Sequence, residues 1–397
     1  MKKLSLISFF VFTICNSFAA GTLVWVQKAE FPPIARHRSV GFSIGSKGYL
    51  GLGHINAGSF NIVYADFWEF DPVSNSWTQK ADYGGGQRFG AVGFSIGNKG
   101  YIGLGTDQNY ADPNDFWEYD PLTNVWTQRA MYPSTGSDGA IGFSIGNKGY
   151  AGMGYTGMWC EYDPAQNLWT PKQMCPVSIS YGASFVIDTL GYVTAGSYAF
   201  PCPLFAYSPA LNQWIGKAAF PGQARFGPTG FAINHKGYVG IGCDYGYNDF
   251  KDFFQYNPDS DTWDSLPEFP GSRRHYVPGF NIGNKGYCGT GTNGTNLKDV
   301  WEFYNYIPFS DTTGVENILG NIEFILSPNP ITTSAKIHSS IYPFTLELFD
   351  LSGRKIFSEQ VTNEDFVFDR KNISSGIYLL SASVAGERIH TEKIILP

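Results

Sequence analysis

Charged residues, histidine and long apolar runs are all scarce in this chain of 397 residues. Charged residues make up only 15% of it, and its 27 basic residues are outnumbered by 34 acidic ones. This balance excludes the basic surface that nucleic acid or anionic lipid requires. Beyond the leader, no apolar run reaches the ~18 residues of a membrane-spanning helix, and the HExxH pattern of zinc proteases is absent. The sequence therefore predicts no nucleic-acid partner and no transmembrane span in the mature chain.

The first nineteen residues have the features of a secretory signal peptide. Lys2 and Lys3 form a positively charged start, residues 4–14 are apolar, and Ser17-Phe18-Ala19 is typical of a cleavage site. We expect residues 1–19 to be removed and the mature protein to begin at Ala20.

Five cysteines follow this leader, and their number is odd. No CxxC pair and no Cys/His spacing typical of zinc occurs among them. The nearest conceivable disulfide joins Cys175 and Cys202, but small buried apolar side chains are the favoured interpretation. We therefore expect no metal and no cofactor.

A pattern of about fifty residues recurs six times. Each copy has an apolar strand with a phenylalanine, a tight turn, a Gly-Tyr seven residues after the phenylalanine, an aromatic strand and a tryptophan. The six phenylalanines are Phe42, Phe94, Phe143, Phe185, Phe231 and Phe280, and the tryptophans that precede them by 16 or 17 residues are Trp25, Trp77, Trp126, Trp169, Trp214 and Trp263. Several short strands per period indicate an all-β fold, a β-propeller with one four-stranded blade per copy.

The glycines, the tyrosine, the Asp-Pro turn and the tryptophan at these spacings resemble the kelch repeat over residues 22–306. Blade four departs from it with Ser208-Pro209, and blade three has Met158-Trp159-Cys160 in place of Asp-Phe-Trp. The sixth copy ends before a tryptophan-bearing strand, while Leu23-Val24-Trp25-Val26 supplies one at the other end. We predict a six-bladed kelch-type β-propeller over residues 20–306 whose N-terminal strand closes blade six.

The repeat stops at Ile307, and residues 307–322 are typical of a linker. Residues 323–397 resemble the C-terminal sorting domain (type A) of the bacterial type IX secretion system. The resemblance lies in Leu326-Ser327-Pro328-Asn329-Pro330, residues 346–354, Ser375-Gly376-Ile377-Tyr378 and the terminal Lys393-Ile394-Ile395. It implies a small Ig-like β-sandwich that the secretion machinery recognises, and export through the periplasm and outer membrane. The alternative is an accessory domain with a ligand of its own.

Arginine recurs six residues before the phenylalanine in four blades, and Ser137 and Ile179 replace it in the other two. The next position holds His37, Asp138 and His275 among others. If the blades are in register, these side chains surround the mouth of the central channel, where propellers bind ligands. The predicted ligand-binding set is Arg36, His37, Arg88, Asp138, Arg225, Arg274 and His275, with the arginines binding a carboxylate or sulfate. The alternative is that the arginines belong to the repeat pattern and brace backbone carbonyls between blades.

The preferred functional interpretation is a secreted or cell-surface scaffold that binds a glycan or a protein at one propeller face, without catalysis. A carbohydrate-active enzyme is the alternative, because kelch propellers include galactose oxidases and sialic acid mutarotases. His37 and His275 are the best candidates for an acid–base or metal pair, and a mutarotase would use an arginine with an acidic partner such as Asp138. The ligands of the oxidase copper are incomplete in the mouth loops, and no catalytic residue is assigned.

Overall fold

The computed structural model describes residues 22–57, 60–196, 201–306, 324–339, 342–350, 354–370, 373–384 and 387–397. The predicted signal peptide and the predicted linker lie outside these residues. The described residues up to Tyr306 form one compact unit, and those after Ile307 belong to a second. Within the described ranges, no helix is long and apolar enough to cross a membrane.

The first unit consists of short antiparallel strands, most of them four or five residues long. In chain order they are β1 (Thr22–Gln27), β2 (Val40–Ile44), β3 (Lys47–Gly51), β4 (His54–Ala57), β5 (Phe60–Val63), β6 (Phe67–Asp71), β7 (Ser76–Lys80), β8 (Val92–Ile96), β9 (Lys99–Gly103), β10 (Phe116–Asp120), β11 (Val125–Gln128), β12 (Ile141–Ile145), β13 (Lys148–Gly152), β14 (Trp159–Asp163), β15 (Leu168–Pro171), β16 (Ala183–Ile187), β17 (Leu190–Thr194), β18 (Cys202–Ser208), β19 (Gln213–Phe220), β20 (Thr229–Ile233), β21 (Lys236–Gly240), β22 (Phe253–Asn257), β23 (Thr262–Leu266), β24 (Gly279–Ile282), β25 (Lys285–Gly289) and β26 (Val300–Tyr306).

These strands form six four-stranded sheets, and β4 and β5 form a separate two-stranded sheet between β3 and β6 of the first blade. The sixth sheet has the order β1-β26-β25-β24, and Trp25 of β1 lies opposite Phe303 of β26. Each innermost strand contacts the innermost strand of the next sheet, and β24 contacts β2. The six sheets therefore close into a ring, and the predicted six-bladed β-propeller is confirmed.

The Gly-Tyr pairs of the repeat have a packing reason. A Cβ on Gly100 would lie 2.6 Å from the ring of Phe42 in the preceding blade, and a Cβ on Gly48 would lie 2.7 Å from the ring of Phe280. In the other four blades, a Cβ on the equivalent glycine would likewise clash with the phenylalanine ring of the preceding blade. Glycine lets neighbouring inner strands approach closely around the axis.

The tryptophans of the outer strands connect neighbouring blades. The indole Nε1–H of Trp126 donates to the carbonyl of Ala81 at 3.0 Å, and that of Trp169 donates to Ala130 at 2.9 Å. Trp77, Trp214 and Trp263 make the equivalent bond at 2.8–3.0 Å. These indole N–H bonds join five of the six pairs of neighbouring blades.

The second unit is a sandwich of two antiparallel sheets. The strands are β27 (Phe324–Ser327), β28 (Ser334–Ser339), β29 (Phe344–Asp350), β30 (Lys355–Val361), β31 (Asp365–Asp369), β32 (Gly376–Val384) and β33 (Glu387–Leu396). One sheet has the order β27-β28-β31 and the other β30-β29-β32-β33. The core of this unit includes Ile337, Leu346, Leu348, Phe368 and Leu380, all fully buried. The predicted β-sandwich is confirmed.

Candidate functional site

Six equivalent residues form a ring of backbone at one end of the axial channel, and we call it the axial ring. Each lies four residues before the phenylalanine of its blade, and each has a positive φ between +53° and +73°. At five junctions of this ring, a backbone N–H donates to the carbonyl of the ring residue in the preceding blade, at 2.8–3.3 Å. The ring residues are Arg38, Gly90, Gly139, Tyr181, Gly227 and Tyr276. Since left-handed backbone favours glycine, the other three residues hold it at a cost of about 1 kcal/mol each.

The side chains of Arg38, Tyr181 and Tyr276 contact one another, and that of Arg38 also pairs with Asp138. We call these four residues the axial cluster. The guanidinium carbon of Arg38 lies 4.3 Å from the ring centre of Tyr276 and 4.7 Å from that of Tyr181. Its Nη1 donates to Asp138 Oδ2 at 3.0 Å. Burial raises the pKa of the Asp138 carboxyl, although the charge of Arg38 opposes this shift. Asp138 is therefore the counter-ion of Arg38 within the cluster.

A cavity of about 400 Å³ opens beside the axial cluster, and we call it the mouth cavity. Hydrogen bonds between its polar side chains hold them in position. His37 Nδ1 lies 2.7 Å from Asn296 Oδ1, and His275 Nδ1 lies 2.6 Å from Asp249 Oδ1. The residues that line it are His37, Arg38, Asn56, Tyr247, Asp249, His275, Tyr276, Thr292, Asn293, Gly294 and Asn296. They come from blades one, five and six.

The four repeated arginines have other partners. Arg36, Arg88, Arg225 and Arg274 are at most 2% exposed. Each guanidinium pairs with an aspartate of its own blade and donates to the carbonyl at the end of the second strand. The aspartates are Asp66, Asp115, Asp252 and Asp299. This geometry favours the alternative prediction, with one correction: the arginines brace carbonyls within each blade rather than between blades.

The remaining predicted site residues divide between two places. His37 and His275 line the mouth cavity, as expected from their register. Asp138 belongs to the axial cluster, where Arg38 is its partner. The predicted ligand-binding role of these three residues stays a prediction.

The sequence prediction missed most of the lining of the mouth cavity. Of the eleven lining residues, only His37 and His275 are in the predicted set, and Arg38, Tyr247 and Asp249 are among those that it missed. A signal for Arg38 was available, because its position holds glycine in three of the six copies and a large side chain in the other three. Tyr247 and Asp249 lie in a loop between the second and third strands, whose length differs from blade to blade.

Burial keeps two histidines of the first blade neutral. It lowers the pKa of His37 to about 3, with the nearby His54 as the next cause, and it lowers the pKa of His54 to about 4. The two rings lie 4.2 Å apart, and His54 stacks on Phe89 at 4.1 Å. Protonation of either ring would place a charge on a side chain that is almost completely buried.

We expect the protein to lose stability as the pH falls from about 6.5 towards 4. In this range the unfolded chain protonates both histidines and the folded protein does not, so the unfolded state binds more protons. The free energy of unfolding should fall by about 2–4 kcal/mol, measured by urea denaturation at pH 7 and pH 4.5.

The control is the double variant His37→Phe/His54→Thr. Phe89 and Phe226 occupy the position of His37 in other blades, and Thr106 and Thr292 that of His54. The variant should lose most of this pH dependence. An unchanged slope would show that other groups cause it.

Comparison with known proteins adds to this geometry. Residues 326–397 match the model of the secretion system C-terminal sorting domain. A solved structure titled "Structure of YjhT" is similar, with a TM-score of 0.57 and 16% identity over 68% of this chain and 94% of that chain. At this identity the likeness shows the fold alone. No curated protein matches the chain.

The matched tail indicates export to the cell surface or secretion, and hence an interaction with the secretion machinery. The predicted sorting domain is confirmed by this match. The chain is thus a six-bladed β-propeller followed by a secretion system C-terminal sorting domain.

Proposed function

We propose that this protein is a secreted or cell-surface scaffold whose propeller binds a carbohydrate, without catalysis, in the mouth cavity. The tail acts as the export signal, and the leader at residues 1–19 directs the chain to the periplasm first. A protein partner is a ligand of the same kind if it carries a glycan that fits this cavity.

The lining of the mouth cavity is the observation that carries this proposal. Asn56, Asn293 and Asn296 offer amide donors and acceptors, and Asp249 offers a carboxylate. Two tyrosines, Tyr247 and Tyr276, lie on the same lining. Planar polar groups beside aromatic rings suit sugars, which carry hydroxyl groups on their edges and C–H groups on their faces.

Exposed tyrosines on the same face support an extended ligand. Tyr110, Tyr155 and Tyr247 are 67–75% exposed, and all three lie in loops between the second and third strands of their blades. Because consecutive strands of a blade run antiparallel, these loops share the face that carries the mouth cavity. Large exposed rings are typical of binding surfaces.

A glycan array followed by titration of the best ligand tests the proposal. Tyr247→Ala should weaken binding roughly 10-fold, about 1.4 kcal/mol, through the loss of ring contact. Leu122→Ala is the control, since Leu122 is 84% exposed in the turn between β10 and β11, on the opposite face. An empty array together with an empty pulldown from surface material would overturn the binding role.

The alternative is a carbohydrate-active enzyme of the mutarotase or galactose oxidase kind. The pair Asp249 and His275, 2.6 Å apart in the mouth cavity, favours it because these are groups that can move a proton. Anomer exchange of sialic acid measured by NMR, and peroxide release on galactose, distinguish these two enzymes from a scaffold. Acceleration that His275→Phe abolishes would replace the binding proposal with a catalytic one.

A further inference from the structure

Three metal-ligating side chains from two blades converge beside the mouth cavity. Donor atoms of Cys243, Asp249 and His275 all lie within 4.8 Å of one another. Cys243 and His275 are buried, and Asp249 and His275 line the cavity. The three residues are therefore close in space, and two of them line the cavity, although 32 positions separate the first from the last.

The backbone holds these residues in place without a ligand. Cys243 and Asp249 face each other as a β-bridge at the base of a short loop. Asp244 Oδ1 accepts the backbone N–H of Gly246 at 2.8 Å and that of Asn248 at 2.9 Å, which closes this loop. His275 is fixed from blade six by the bond from its N–H to the carbonyl of Thr292 at 2.9 Å.

The surrounding charges also suit a cation. Asp249 lies in the site, and Asp244 directly follows Cys243 in the chain. Two nearby cations are already paired, Arg225 with Asp252 and Arg38 with Asp138. The exposed Arg273 contacts only the backbone carbonyl of Asp249 among the described hydrogen bonds.

We propose that Cys243, Asp249 and His275 form a site for a zinc-class divalent ion. One thiolate, one imidazole and one carboxylate are the ligand types that zinc accepts, and three protein ligands leave one coordination position open. Binding replaces the thiol proton of Cys243 and the contact between His275 Nδ1 and Asp249 Oδ1. The site goes beyond the proposed carbohydrate binding and does not depend on it.

The test uses the full chain, freed of metal by dialysis against a chelator. Zn²⁺ should bind at one ion per chain, measured by competition with a chromophoric chelator. Co²⁺ should bind in the same site and give the near-ultraviolet thiolate-to-cobalt absorption. The cobalt absorption reports a sulfur ligand directly, and the zinc competition reports the stoichiometry and the affinity.

The other blades supply variants that preserve the fold. Cys243→Thr introduces the residue found at Thr106 and Thr292, and His275→Phe the residue found at Phe89 and Phe226. Cys243→Thr should abolish the cobalt absorption and weaken Zn²⁺ binding by about 100-fold or more, and His275→Phe and Asp249→Asn should weaken it roughly 10–100-fold.

Cys288→Val is the control. Cys288 is an equally buried thiol in blade six, and valine occupies the same strand position at Val193 and Val239. It should leave both signals unchanged. No uptake of Zn²⁺ by the unmodified protein, or an unchanged cobalt absorption in Cys243→Thr, would overturn the site.

Discussion

Replacing Arg274 with alanine is expected to lower the free energy of unfolding by about 3–4 kcal/mol. Arg274 is fully buried, and its guanidinium holds both oxygens of Asp299 at 2.7 Å. Nη1 also donates to the carbonyl of Thr290 at 3.1 Å, and the guanidinium lies over the ring of Phe269. The substitution leaves the Asp299 carboxylate without its cation, with the Trp301 indole N–H as its remaining described side-chain donor. It also removes the guanidinium donor of the Thr290 carbonyl, in a place that water reaches poorly.

The neighbouring arginine provides a matched control. Arg273 is exposed, and its one described hydrogen bond is a 3.3 Å contact to the carbonyl of Asp249. Arg273→Ala should change the free energy of unfolding by less than about 0.5 kcal/mol. The double variant Arg274→Ala/Asp299→Ala should recover part of the loss, because it also removes the unpaired charge. Equal stability of the two single variants in urea denaturation would refute the bracing role.

Replacing Gly227 with alanine is the second change with a large expected effect. Gly227 belongs to the axial ring, with a φ of +58°. A Cβ there would overlap the backbone N of Tyr276 and lie 2.7 Å from Cδ1 of its ring. The backbone of Tyr276 cannot move aside, because its N–H donates to the carbonyl of Gly227 at 2.8 Å. We expect a loss of about 3 kcal/mol or more in the free energy of unfolding.

Gly97 separates the backbone effect from the steric one. Its φ is +59°, nearly the same, but it lies in a hairpin turn where a Cβ would meet nothing within 4 Å. Gly97→Ala should therefore cost only about 1 kcal/mol. The difference between the two variants in the free energy of unfolding, measured by urea denaturation, is the cost of the steric clash between the new Cβ and Tyr276. A difference near zero would contradict the close packing of the axial ring.

The repeated arginines show how much of the site could be predicted from the sequence. Arginine occurs before the phenylalanine in blades one, two, five and six, and the aspartate at the start of the third strand occurs in those same blades. This co-occurrence is a signal for ion pairs within blades, but the sequence prediction assigned the arginines to a ligand. Of the residues predicted at the mouth in blades one and six, His37 and His275 line the cavity, whereas the arginines pair with aspartates of their own blades. The repeat pattern does not predict this difference, because it depends on the direction of each side chain.

The sequence by itself determined the propeller, its six blades and the sorting tail. It did so because period, turn residues and packing glycines repeat in every blade, and each unit contacts mainly its neighbours. Only the tertiary structure decided the site, since the loops that build it do not repeat. Cys243, Asp249 and His275 follow no common spacing, and closure of the ring is what brings blades five, six and one around a single cavity.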